Sequence, residues 1–455
     1  MRLLKEFKLS LFKEVNPASL GLFRILVGTV LFVQTFWFIK TDFLSENIYK
    51  PVLHFKFYFF HFLNPLPESA MKLMMLGMLA SAFLITIGKW FKYACAFFCF
   101  SFTYFWLLDK GYFNNHYYFI SLLTFLLMFT NADSWGALSK KTRQIKASIL
   151  YWQVFVLKVQ ICIVFFIAGI NKLNPYWLFE FQPMKHILET KAEIDGYAWL
   201  NSEFYFALFS WFGLVFDISI CFLLWFKKTR KFAVVFYVVF NLINFWLFHT
   251  IGEIGFFPFL LLACVVIFFS PEKIGQKFGW YRGDKGGGDK RNLDDVSLGS
   301  ERKKKQGIVF FGVVSYIVFQ LIFPFRHLLY EDHVDWTGEG QRFSWRMKIM
   351  FKDSDIHFYL IEEGSNQRRE VNIGHFLTQK QYTNIVYYPD LIPEVAKYIK
   401  EEGVRRGMHN PKVVADFKIG FMGSEQQYLV DPETDLSKLE IHPFEHSTWI
   451  RPLGQ

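Results

Sequence analysis

Nine runs of apolar residues recur along the first three quarters of the chain, at 17–39, 71–88, 91–108, 114–131, 150–170, 204–226, 232–249, 254–270 and 307–325. A run of roughly 20 apolar residues can cross a bilayer as a helix, which satisfies every backbone polar group inside one segment. The repetition predicts a multi-pass α-helical membrane protein with about nine spans. Composition agrees, since 53% of residues are hydrophobic, 20% are aromatic and phenylalanine alone occurs 58 times. No short apolar core followed by a small-residue cleavage site stands near the N-terminus, so the first run reads as a retained span.

Charge sets the orientation. Arg2, Lys5, Lys8 and Lys13 precede the first run; Lys89 and Lys92, then Lys140, Lys141, Arg143 and Lys146, then Lys227, Lys228, Arg230 and Lys231, and finally Arg302 to Lys305 fill every second connection. Basic loops stay on the cytoplasmic side, so the N-terminus is expected there. The same placement explains the net charge of +10 without nucleic acid as a partner. The intervening loops are mixed or acidic, with Glu180, Glu189, Glu193, Asp195 and Glu203. The expected division is a transmembrane domain over 1–325 and a small soluble α+β domain over 326–455 on the extracytoplasmic face of the plasma membrane. Strands are expected at 344–351, 356–361 and 412–421, and a helix at 390–402. The stretch 283–300, with three glycines in a row, reads as a flexible inner loop.

Cys95, Cys99, Cys162, Cys221 and Cys264 all lie in apolar runs. None falls in the polar C-terminal third, so no disulfide framework is expected there; Cys95 and Cys99 have helical i, i+4 spacing, but two buried thiols with no histidine or carboxylate nearby in sequence read as packing residues rather than metal ligands.

One run ends unusually. Ile161 to Gly169 is apolar throughout, and Lys172 follows where the hydrocarbon should stop. Two readings compete. The ammonium could reach the headgroups while its methylenes lie along the helix end. Alternatively the amine is held away from water, where burial lowers a lysine pKa by roughly 3 to 5 units and provides a neutral base. The span count brings His116, His249 and Glu253 to the same leaflet as Lys172.

The residues quoted next carry a family resemblance. In chain order they are Asn16 to Arg24, Leu108-Asp109-Lys110, Asn114-Asn115-His116-Tyr117, Ile163 to Leu173, Ile254-Gly255, Ser270-Pro271-Glu272, Phe343-Ser344-Trp345 and Pro443 to Pro452. Taken together they resemble the vitamin K-dependent gamma-glutamyl carboxylase family. The resemblance implies that Lys172, in Ile167-Ala168-Gly169-Ile170-Asn171-Lys172-Leu173, deprotonates a vitamin K hydroquinone such as phylloquinol or menaquinol. It implies that O2 then converts the quinol into a base strong enough for a glutamate γ-proton, leaving an epoxide while CO2 traps the carbanion. His116 matches a family active-site histidine near the reacting glutamate and is expected to stabilise the carbanion or carboxylate. Asn115, Asn171, His249 and Glu253 are candidates for the substrate or cofactor pocket. The implied partners are a glutamate-containing protein or peptide, the quinol and membrane lipids.

Departures from the animal members bear on this reading. Asn171 stands where they carry a second lysine, and Asn174-Pro175-Tyr176 replaces their Asp-Ala-Asp. Without that neighbouring cation, burial must act more strongly on Lys172. His249 and Asn244 are the nearest matches to a family histidine and asparagine, and capping a short outer loop explains them equally well. The chain is much shorter than the animal enzymes, from which a bacterial member with different substrate recognition is expected. Two other functions stay open: a quinol-oxidising or epoxidising enzyme without carboxylation, and a quinone-binding protein without turnover.

Overall fold

The computed structural model describes residues 2–138, 148–250, 254–278, 300–365 and 367–454. Glu253, most of the 283–300 loop and the basic residues from Lys140 to Lys146 lie outside the described residues. In chain order the helices are α1 (Arg2–Leu11), α2 (Ala18–Lys40), α3 (Glu68–Ile87), α4 (Phe91–Leu107), α5 (Asn115–Met128), α6 (Trp152–Asn171), α7 (Pro175–Leu178) and α8 (Met184–Asp195). They continue with α9 (Glu203–Trp225), α10 (Arg230–Phe248), α11 (Phe257–Cys264), α12 (Pro271–Lys277), α13 (Ser300–Ile322), α14 (Val334–Thr337), α15 (Gln379–Tyr387) and α16 (Ile392–Arg405).

Every one of the nine apolar runs contains a helix, but nine full spans is a correction to make. Among the described residues six helices are long and apolar enough to cross a membrane, or seven when Phe257–Phe268 and Pro271–Lys277, bent by 102°, count as one. The difference lies in α4, with 17 residues, and α5, with 14. At 1.5 Å per residue they reach only about 25 and 21 Å, short of a hydrocarbon core of about 30 Å. The Asn114 side chain accepts from the His116 amide and so fixes where α5 begins. Because α4 and α5 are consecutive, the pair leaves the alternation of later segments unchanged.

The segments run between two faces. On one, Arg24 of α2 is fully buried and donates to the carbonyls of Ile85 at 2.6 Å, Thr86, Ala132 at 3.2 Å, Trp135 at 3.2 Å and Gly136 at 2.7 Å. One guanidinium thereby ties α2 to the end of α3 and to the chain after α5. The short strands β1 (Glu14–Val15) and β2 (Ile149–Leu150) pair antiparallel beside it.

The other face carries the C-terminal domain. Its sheet, in the order β4-β3-β5-β6, is antiparallel throughout: β3 (Lys352–Ile361), β4 (Arg368–Val371), β5 (Lys412–Phe421) and β6 (Gln427–Tyr428). Helices α15 and α16 cover it through Ile385, Ile392, Val395 and Ile399, against Phe358, Val413, Ala415 and Phe417. The expected strand at 344–351 is absent; the strand begins at Lys352. The backbone angles exclude it. Phe343, Trp345 and Lys348 have φ of +65°, +55° and +52°, which an extended strand excludes.

Two closely packed places yield predictions. An added Cβ on Gly169 would lie 2.7 Å from Ile218 Cγ1 and 2.9 Å from the Ile218 backbone nitrogen, whereas on Gly213 its nearest neighbour would be at 3.6 Å. Gly169→Ala is expected to cost about 1 to 3 kcal/mol by forcing α6 from α9, and Gly213→Ala much less. Thermal unfolding of both variants in detergent checks the contrast. In the C-terminal domain, Lys352 is buried and donates to Trp336 O at 2.7 Å. Burial pushes its pKa down to about 7, with Asp335 opposing. The unfolded amine keeps its proton to roughly pH 10, so between these values the unfolded state binds more protons and stability rises with pH. The domain's thermal midpoint should climb from pH 7 to 9, and Lys352→Met should flatten that climb.

Candidate active site at the ends of α5 and α6

Lys172 caps the C-terminal end of α6 and is 8% exposed. Its Nζ bonds the carboxylate of Asp217, itself 4% exposed, and lies 4.9 Å from the centre of the Trp177 ring. The indole is held in turn by its Nε1, which donates to Ser210 O at 2.8 Å. These contacts arise because Gly169 lets α6 approach α9 closely, and because Gly213 carries no side chain beside the amine. The amine therefore turns into protein and meets a counter-ion there. Asp217 was not among the residues singled out from sequence, yet a signal existed: it is the one acidic residue inside the run 204–226, and ionisable groups inside spans mark functional positions.

His116 sits in the first turn of α5, its ring stacked on Phe257 of α11 with centroids 3.8 Å apart and planes within 10°. Asn115 and Asn171 stand immediately before His116 and Lys172. They meet the same segment of the C-terminal domain: Asn115 Nδ2 donates to Arg346 O at 3.3 Å, and Asn171 Nδ2 donates to Ser344 O at 2.8 Å. Residues two apart lie within about 7 Å along a chain, so this short segment draws the α5 and α6 ends together.

Arg346 locks that segment. Its Nε and Nη2 donate to Asp335 at 2.9 and 2.6 Å, and its Nη1 donates to Asn171 Oδ1 at 3.0 Å. Asn171, which stands where animal members have lysine, is thus fully engaged in docking. Trp345, between the two contacts, is completely buried and stacks on Tyr118 at 5.2 Å. Two buried polar atoms here have no hydrogen-bond partner among the described residues, the donor Trp345 Nε1 and the acceptor Asn115 Oδ1.

Other candidates fall elsewhere. His249 is exposed, and its Nδ1 lies 3.2 Å from Trp246 O of its own helix. Leu108-Asp109-Lys110 serves docking: Lys110 pairs with Asp390 at 3.2 Å and Glu394 at 2.6 Å, and Asp109 accepts from Gln381 at 2.9 Å. Burial raises the Asp390 carboxyl, but Arg342 and Lys110 outweigh it and hold it below the ordinary carboxylate range. His446 pairs with Glu339 at 2.9 Å, an anchoring contact within the C-terminal domain.

A cavity of about 1140 Å³ opens beside this site. Phe100, Phe125, Phe319 and Phe323 form its apolar part on α4, α5, α13 and the turn that follows, and Lys110, Arg342, Asp390 and Glu394 form its polar end. Lys172 and His116 do not line it; Phe343 does, one residue before the Ser344–Arg346 contacts.

Fold and site define a multi-pass α-helical membrane enzyme with a β-containing C-terminal domain docked on its helix ends. A family model described as the HTTM domain matches residues 12–272, and one described as the vitamin K-dependent gamma-carboxylase lumenal domain matches residues 305–455. The chain belongs to the vitamin K-dependent gamma-carboxylase family, and its two-part architecture is that of a gamma-glutamyl carboxylase enzyme. Membership implies a quinone-related cofactor. No solved structure matches the chain.

The docking lock can be tested by stability. Arg346→Met leaves the Asp335 carboxylate buried without its partner, which should cost about 3 to 5 kcal/mol. The double variant with Asp335→Leu should recover part of that loss in thermal unfolding.

Proposed function

We propose that this protein carboxylates glutamate side chains with CO2 while oxidising a vitamin K hydroquinone to its epoxide, with Lys172 as the base and His116 beside the reacting glutamate. The observation that carries the reading is Lys172 itself, enclosed by Asp217 and Trp177 at the end of α6 rather than extended to solvent.

The residues present suit a hydroquinone. Such a ring offers one kind of group that donates and accepts, and the two unpartnered buried atoms, Trp345 Nε1 and Asn115 Oδ1, are one donor and one acceptor. When bound, the quinol supplies, by its reaction with O2, the basicity that no side chain has toward a carbon acid. The protein's part is to take the hydroxyl proton on Lys172 Nζ, to orient the ring and to keep water away. His116, stacked on Phe257, presents a fixed imidazole at the next helix end. Asn115 and Asn171 hold both helix ends to one segment, which keeps the two groups in register.

The cavity beside α4, α5 and α13 supports access for a lipid-tailed phylloquinol or menaquinol from the bilayer. The basic loops support a cytoplasmic N-terminus, which puts the C-terminal domain, and with it a glutamate-containing protein or peptide substrate, on the outer face of the plasma membrane.

The test supplies purified protein with vitamin K hydroquinone, O2, labelled CO2 and a glutamate-containing peptide. Epoxide and labelled peptide should both form, and Lys172→Ala should lower both by at least about 100-fold, the range expected for loss of a general base. His116→Ala should depress carboxylation more than epoxide formation. Epoxide without label across several peptides would restrict the activity to quinol oxidation, and neither product would overturn the proposal.

A further inference from the structure

Asp217 encloses Lys172 and is the carboxylate in contact with the proposed base. We propose that Asp217 is a positioning residue for Lys172, which aims Nζ and sets the pH above which the amine can accept a proton. The inference rests on the reading of Lys172 as the base.

The geometry carries it in three steps. Lys172 has four rotatable side-chain bonds, and a free amine at a helix end would sample many positions. Here the Asp217 bond on one side and the Trp177 ring on the other restrict it. Both partners are themselves held, Asp217 in the middle of α9 at 4% exposure and Trp177 by Ser210.

Electrostatics forms the second step. Burial favours a neutral amine, while an adjacent carboxylate favours the ammonium. Among the described residues, Arg346 and Asp335 pair with each other one residue away through Asn171. Cys221 lies one turn along α9 from Asp217, with Cys162 beside it, and both are thiols. Among the described residues, Asp217 is the charged group in direct contact with Lys172.

Proton balance is the third step. When the quinol O–H bond breaks and an N–H bond forms on Lys172, the new ammonium faces a carboxylate already in place, and the reaction creates no unpaired cation in the protein.

The test reads the amine directly. Cyanate carbamoylates neutral amines, and mass spectrometry of the full-length protein's peptides reports the extent at Lys172 as a function of pH. In Asp217→Asn the pH of half-reaction should fall by about 1 to 3 units, and the acid limb of the epoxidation profile should move down with it. Asp217→Glu, which keeps the charge on a longer arm, should leave the half-reaction pH close to the wild-type value while lowering kcat through misplacement. Asp217→Ser replaces the Asn variant should that fail to fold. An unchanged half-reaction pH in the uncharged variant would overturn the proposal. A shifted labelling curve in a protein that makes no epoxide would instead uphold Asp217's effect and remove the quinol-base reading.

Discussion

The protein depends on a buried ion pair that does not touch the proposed chemistry. Arg346 and Asp335 are 6% and 1% exposed, and taking both charges from water is tolerable only because the guanidinium meets the carboxylate through two nitrogens and spends a third on Asn171. That pair holds a segment whose backbone is costly. Left-handed φ values at Phe343, Trp345 and Lys348 cost of order 1 to 3 kcal/mol each. The strained segment is where Asn115 and Asn171 attach, so the ion pair, the strain and the convergence of α5 with α6 form one construction.

The setting of Lys172, the base in the proposed reaction, rests on a second constraint, the closeness of α6 and α9. Gly169 removes the side chain that would separate them, and the amine can then find a carboxylate inside a membrane helix instead of headgroups outside it. Without the animal members' neighbouring lysine, burial is expected to act more strongly on Lys172. The structure instead gives the amine a partner of opposite sign, which makes its environment a balance between desolvation and attraction.

The cavity adds a division of labour. Its apolar walls belong to helices α4, α5 and α13, and its polar end belongs to the docking contacts of Lys110 and Arg342. Between it and the Lys172 end of α6 lies the Phe343–Arg346 segment.

Much of this was legible in order along the chain. Apolar runs of bilayer length, basic residues in alternate connections and the strand at Lys412–Phe421 depend on composition and period, which are local properties that a sequence displays directly. The short motifs around Lys172 and His116 single those two residues out as candidates for the same reason. Three things were not legible. The short reach of α5 depends on where the Asn114 cap starts the helix; the loss of the strand at 344–351 depends on side chains 173 and 231 residues away that claim the carbonyls of Ser344 and Arg346; and the Lys172–Asp217 pair joins two helices whose contact is permitted by a missing side chain at Gly169. The last two are long-range contacts, and the sequence by itself determined the kinds of groups available while only the tertiary structure decided which of them meet.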